Sequence, residues 1–262
     1  MPTSRIVAMI LPALLAIAGA GLIPAQIAVG QDKSQSTGGQ ESANKKTVKK
    51  TAKKSGPRNV AVLIFDGVEL LDFAGPAEVF IVCEYGRSYN VYTVADQKQT
   101  VRTMGGIQIV PNHDLKSAPQ PDVLIIPGGS TSNLSSDARK WLRTAHAKTE
   151  ITMSVCMGAF VLAEADLLDG VKATTHRWGI ESLKRAAPKC QVVEGQRFVD
   201  NGKIITTGGV TAGIDGALHI VERLNGAKAA RWTADEWMEY RRSGKKLTAP
   251  ADGERTEPGD KP

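Results

Sequence analysis

The chain has 262 residues, 42% of them hydrophobic, and a formal net charge of +6. At about 150 residues per domain this is one or two domains. The charge is uneven: residues 1–59 carry nine Lys/Arg against two Asp/Glu, and the remainder carries 24 against 25. The folded part therefore has no basic excess that would argue for nucleic acid.

Arg5, the apolar run Ile6–Leu22 and the small residues Ala28-Val29-Gly30 read as an export signal over residues 1–30, cleaved before Gln31. The expected location is periplasmic or otherwise extracytoplasmic. An uncleaved membrane anchor is the alternative; no cysteine lies near for a lipid anchor. Residues 31–58 have no apolar periodicity and read as a disordered basic linker. Its segment KKTVKKTAKK, Lys45–Lys54, is suited to an anionic surface.

A domain over 59–243 follows. VAVLIF, Val60–Phe65, is a continuous apolar run, the pattern of a strand buried on both faces. Gly75-Pro76 reads as a helix start, with Gly86 as its stop. Tyr89–Ala95 is a second strand, and Val101–Val110 a small hairpin around Gly105-Gly106. Asp122–Gly129 is a buried strand ending in a glycine turn, and Asp137–Lys148 a helix. The strand 151–155 delivers Cys156 directly into a helix expected to reach Leu168.

Lys172–His176 then reads as a short strand and Ile180–Ala187 as a helix. Gln191–Glu194 and Arg197–Thr207 are strand segments, the latter reversing at Asp200-Asn201-Gly202, a strong hairpin signal. Helices are expected over Ala212–Leu224 and Ala227–Arg242, the second with apolar residues for a homodimer contact. Residues 244–262 read as a disordered tail. Alternating strands and helices predict an α/β domain, a mostly parallel sheet flanked by helices on both faces. Such sheets bind ligands at the carboxyl ends of their strands, where Gly128-Gly129, Cys156 and Gly208-Gly209 all fall.

Cys156 lies between a strand end and a helix start, as a nucleophile does in a strand–turn–helix elbow. That position exposes the sulfur and sets it at the positive end of a helix, which favours thiolate. A lone cysteine is ordinarily a packed core residue; the elbow argues for chemistry instead. Met157 N–H and the backbone of Gly129 are candidate oxyanion donors. Asp72, ahead of the first helix, is a candidate acid or base where a helix cap is the plain alternative. Glu69 and Glu78 are rivals with more exposed positions. His176 ends a short strand on the same rim. The other cysteines, Cys83 and Cys190, form no disulfide scaffold, and the three spacings fit no zinc motif. No metal or cofactor is expected.

PGG at 127–129, SVCMGAFVLAEADLLDG, ATTHRWGIESL and TTGGVTAGIDGALHIVERLNG occur in an order that resembles the ThiJ/PfpI superfamily. The resemblance implies a flavodoxin-like, class I glutamine-amidotransferase-like fold and commonly a homodimer. LIFDGVELLDFAGPAEVF is most similar to isonitrile hydratases and to the sensor-like domains of AraC-type regulators. In the hydratases the Asp matching Asp72 works beside the cysteine matching Cys156. The implied reaction is cysteine attack on an isocyanide carbon, then hydrolysis to an N-substituted formamide. His176 matches a His present in many relatives. Family proteases place His, and hydratases often Thr, where this chain has Met157. Glyoxalase or deglycase chemistry on reactive aldehydes, and ligand or oxidant sensing without turnover, are the alternative readings.

Overall fold

The structure, a computed structural model, describes residues 56–240. The expected signal segment, most of the linker and the tail lie outside them. The strands are β1 (Arg58–Leu63), β2 (Tyr89–Ala95), β3 (Val101–Arg102), β4 (Gln108–Ile109), β5 (His113–Asp114), β6 (Val123–Ile126), β7 (Ile151–Ser154), β8 (Lys172–Ala173), β9 (Gln191–Val192), β10 (Phe198–Asp200) and β11 (Ile204–Thr207). The helices are α1 (Leu70–Val82), α2 (Ser136–Lys148), α3 (Gly158–Glu164), α4 (Ile180–Ala186), α5 (Ala212–Asn225) and α6 (Ala227–Trp232).

Seven strands form one sheet in the order β10-β11-β7-β6-β1-β2-β5, parallel except for β10. Its centre is the apolar core foreseen in the runs of the sequence. Every residue of β6, β7 and β11 is buried, as is Val60–Leu63 of β1, so both faces of these strands are covered. The β10–β11 hairpin turns at the predicted Asp200-Asn201-Gly202, with Gly202 at φ +87°. The β3–β4 hairpin is also present, pairing Val101 with Ile109.

Several boundaries differ from expectation. β1 starts at Arg58, inside the expected linker. Arg58 N–H bonds Ser88 O, and its guanidinium reaches Glu150 at 3.0 Å, which ties the strand start down. α1 starts at Leu70 rather than at Gly75-Pro76, and Pro76 lies inside it. Asp72, Phe73, Pro76, Val79 and Phe80 are all buried at helical spacing, so packing of this face overrides the usual placement of proline at a first turn. α3 ends at Glu164, before Asp166 takes φ +58°. β8 is only two residues long and pairs with β9 outside the main sheet. Thr174 N–H instead bonds the Thr206 side chain at 2.8 Å, and this draws the following residues over the end of the sheet. The last helix stops at Trp232 and continues as a wider π-type turn over Thr233–Trp237. Strand β5, a two-residue edge, had no sequence signal.

Four adjacent parallel strands, β11, β7, β6 and β1, end on one rim. Immediately beyond them stand Gly208, Cys156, Gly128 and the segment leading into α1. The helix α1 closes against α5 because both carry small residues at the contact: a Cβ on Gly75 would lie 2.9 Å from Ile214 Cγ1, and one on Gly213 3.1 Å from Pro76 Cγ. This approach brings the first turn of α1, with Asp72, over the strand ends.

Candidate active site

Cys156 is at the elbow its sequence position predicted. Its φ is +56°, a left-handed conformation that costs a non-glycine residue energy and is kept only where surroundings enforce it. Three bonds enforce it. Cys156 N–H donates to Gly208 O at 3.0 Å, Thr175 Oγ1 donates to Cys156 O at 2.7 Å, and Gly158 N–H donates to Val155 O at 2.9 Å. Close packing requires glycine next: a Cβ on Gly158 would stand 2.1 Å from Ile126 O.

Asp72 is fully buried, 0% exposed, on the first turn of α1. It is not a helix cap; its carboxylate faces the strand ends. Oδ2 accepts from Gly128 N–H at 2.9 Å, and Oδ1 accepts from Val210 N–H at 3.1 Å. Val210 has φ +51°, unusual for a β-branched residue, so a second strained backbone position serves the same site. The Cys156 thiol donates to this carboxylate, and Met157 N–H donates to the sulfur.

The electrostatics depart from the sequence expectation. The sulfur is not exposed, with Cys156 only 8% accessible. Burial first, and then the charge of Asp72, push its thiol up to about 12, and the Met157 N–H opposes this only in part. The resting group is a thiol, not the thiolate that a helix start suggested: α3 is short, and a buried carboxylate is the stronger neighbour. Burial likewise pushes the Asp72 carboxyl up to about 6, with the charge of Glu69 acting the same way. Near neutral pH the arrangement is therefore a protonated sulfur donating to an ionised carboxylate. That carboxylate is placed to take the thiol proton.

The glycine pair divides its work. A Cβ on Gly128 would lie 2.7 Å from Met157 N and 3.0 Å from Cys156 Cβ, so Gly128 is the one against the elbow. Gly129, at φ +105°, packs on the other segment, where a Cβ would stand 2.2 Å from Gly67 O. His176 bonds neither Cys156 nor Asp72. Its Nδ1 accepts from Trp178 N–H at 3.3 Å, and its ring lies on Gly209, one residue before Val210. A cavity of about 260 Å³ opens beside it, lined among others by Thr175, Arg177, Glu194, Gly208 and Gly209. Val210 and Thr175 are structural partners that no sequence pattern marked. Cys83, Cys156 and Cys190 are all free.

The family model of the DJ-1/PfpI family matches residues 58–223. Isonitrile hydratase from Pseudomonas putida is 33% identical over 175 residues, 66% of this chain and 74% of that protein. The HTH-type transcriptional regulator GbdR of Pseudomonas aeruginosa is 26% identical over 65% of this chain, but only 47% of its own length is covered. Among solved structures, a ThiJ/PfpI family protein from Pseudomonas syringae superposes with a TM-score of 0.60 at 28% identity, over 69% of this chain and 75% of that one.

Proposed function

The chain belongs to the DJ-1/PfpI family, and on that footing we propose that it is a cofactor-free hydratase that converts a small isocyanide to an N-substituted formamide. The observation that carries this reading is the buried pair: a thiol donating to a carboxylate that two backbone amides hold in place. Such a pair suits an electrophile that must receive both a nucleophile and a proton at one carbon. Similarity to isonitrile hydratase supports the same choice.

In this reaction Asp72 takes the thiol proton as Cys156 sulfur attacks the terminal carbon, and passes that proton to the same carbon. The product is a thioimidate, R–N=CH–S, on Cys156. Ionised Asp72 then draws a proton from water, which adds to the thioimidate carbon while the nitrogen gains a proton. Collapse breaks the C–S bond, returns the proton to sulfur and releases R–NH–CHO. Direct transfer within the pair needs no free thiolate, so a thiol pushed up to about 12 is compatible with attack. It is a poor peroxide sensor, since oxidation follows thiolate character.

We place the activity outside the cytoplasm on the strength of the Arg5–Gly30 segment. The test incubates wild type and Cys156→Ser with an alkyl isocyanide and, separately, with methylglyoxal. Formamide from wild type alone is expected. Lactate in place of formamide moves the protein to aldehyde chemistry, and no product from either removes the enzyme reading.

A further inference from the structure

One acidic side chain beside the pair has no task in this scheme. Glu69 immediately precedes α1 and is half-buried. Its N–H bonds the Gly128 carbonyl at 3.1 Å, on the residue whose own N–H Asp72 accepts. The close approach depends on Gly129, where a Cβ would lie 2.6 Å from Glu69 N. Glu69 and Asp72 are three residues apart, a spacing that sets side chains on one side of a helical turn. Yet the Glu69 carboxylate caps no helix N–H and makes no hydrogen bond or ion pair with any described residue.

The groups acting on the thiol and carboxyl come from every neighbouring segment. Asp72 and Glu69 stand on the α1 side, Cys156 and Met157 N–H on the elbow, Gly128 N–H after β6, and Val210 N–H after β11. His176 lies across Gly209 from the β8 side. No Lys or Arg is among those acting on the pair. Two carboxylates therefore surround a sulfur that has no compensating cation.

We propose that Glu69 is a positioning residue of this site: its carboxylate keeps the proton between Cys156 and Asp72, so that sulfur gives it up only by direct transfer when an electrophile arrives. A free thiolate here would face two negative charges in a poorly solvated pocket, where their repulsion is larger than in water. Glu69 thereby protects the resting thiol from alkylation and oxidation. The inference rests on the nucleophilic reading of Cys156.

The test uses the full chain carrying Cys83→Ser and Cys190→Ser. Ultraviolet thiolate absorbance is titrated between about pH 7 and pH 12, with the Cys156→Ser version subtracted. Glu69→Gln is expected to move the titration to lower pH; a midpoint lower by about 0.5 gives about threefold more thiolate at a fixed pH. Glu69→Asp is expected to restore the wild-type curve, a rescue that loss of packing alone would not show. A Glu69→Gln curve that overlays wild type overturns the proposal. Isocyanide turnover, measured on the same proteins, separates the two claims. Turnover with an unmoved titration refutes the role of Glu69, and a moved titration with no turnover refutes the hydratase reading alone.

Discussion

Replacing Asp72 with Asn converts the central electrostatic statement into a stability measurement. The folded carboxyl titrates at about 6 against an ordinary 3.8, and Asp72 is fully buried. The folded state therefore holds the proton more tightly than the unfolded chain. By linkage, the benefit of the protonated form is fully present below about pH 4 and is lost as pH rises through about 6. The difference between those two midpoints corresponds to about 3 kcal/mol. Asn keeps one acceptor for Gly128 or Val210 N–H and turns its own NH₂ toward the other, a cost of about 1–3 kcal/mol that does not vary with pH. The assay is urea unfolding of wild type and Asp72→Asn near pH 4 and pH 7.5. Wild type should lose about 3 kcal/mol relative to the variant between the two conditions. Other carboxylates titrate alike in both proteins and cancel. Parallel pH dependence would refute the burial argument.

Hydration should fall as pH drops through about 6, because the base Asp72 becomes protonated there, and it should hold level toward alkaline pH; a pH–rate profile checks this. Gly158→Ala should lower the thermal midpoint sharply, by the equivalent of several kcal/mol, because the new methyl would meet Ile126 O at 2.1 Å. Since the clash lies under the elbow, turnover should fall with it.

The sheet was legible because its central strands are continuous apolar runs and its turns carry glycine at demanding positions. The Cys156 elbow was legible for the same reason: a strand run, one cysteine and small residues in succession. The start of α1 was not, because Pro76 is a strong local signal that burial of Asp72, Phe73 and Phe80 overrides. The resting charge on Cys156 was also out of reach. Local sequence supplies a helix start near the sulfur, whereas the buried carboxylate comes from a residue 84 positions earlier along the numbering of Asp72 and Cys156. The anchors Val210 and Thr175 are backbone and hydroxyl partners that only the folded chain brings together. His176 was placed on the correct rim, yet its hydrogen bond goes to Trp178.

The central claim, that Cys156 attacks the isocyanide carbon, is tested most directly by intact-protein mass after acid quench of the reaction. Wild type should gain the mass of one whole isocyanide molecule, since thioimidate formation is an addition without loss, and peptide mapping should place it on Cys156. Formamide release with no adduct on wild type, or the same adduct on Cys156→Ser, would contradict the account.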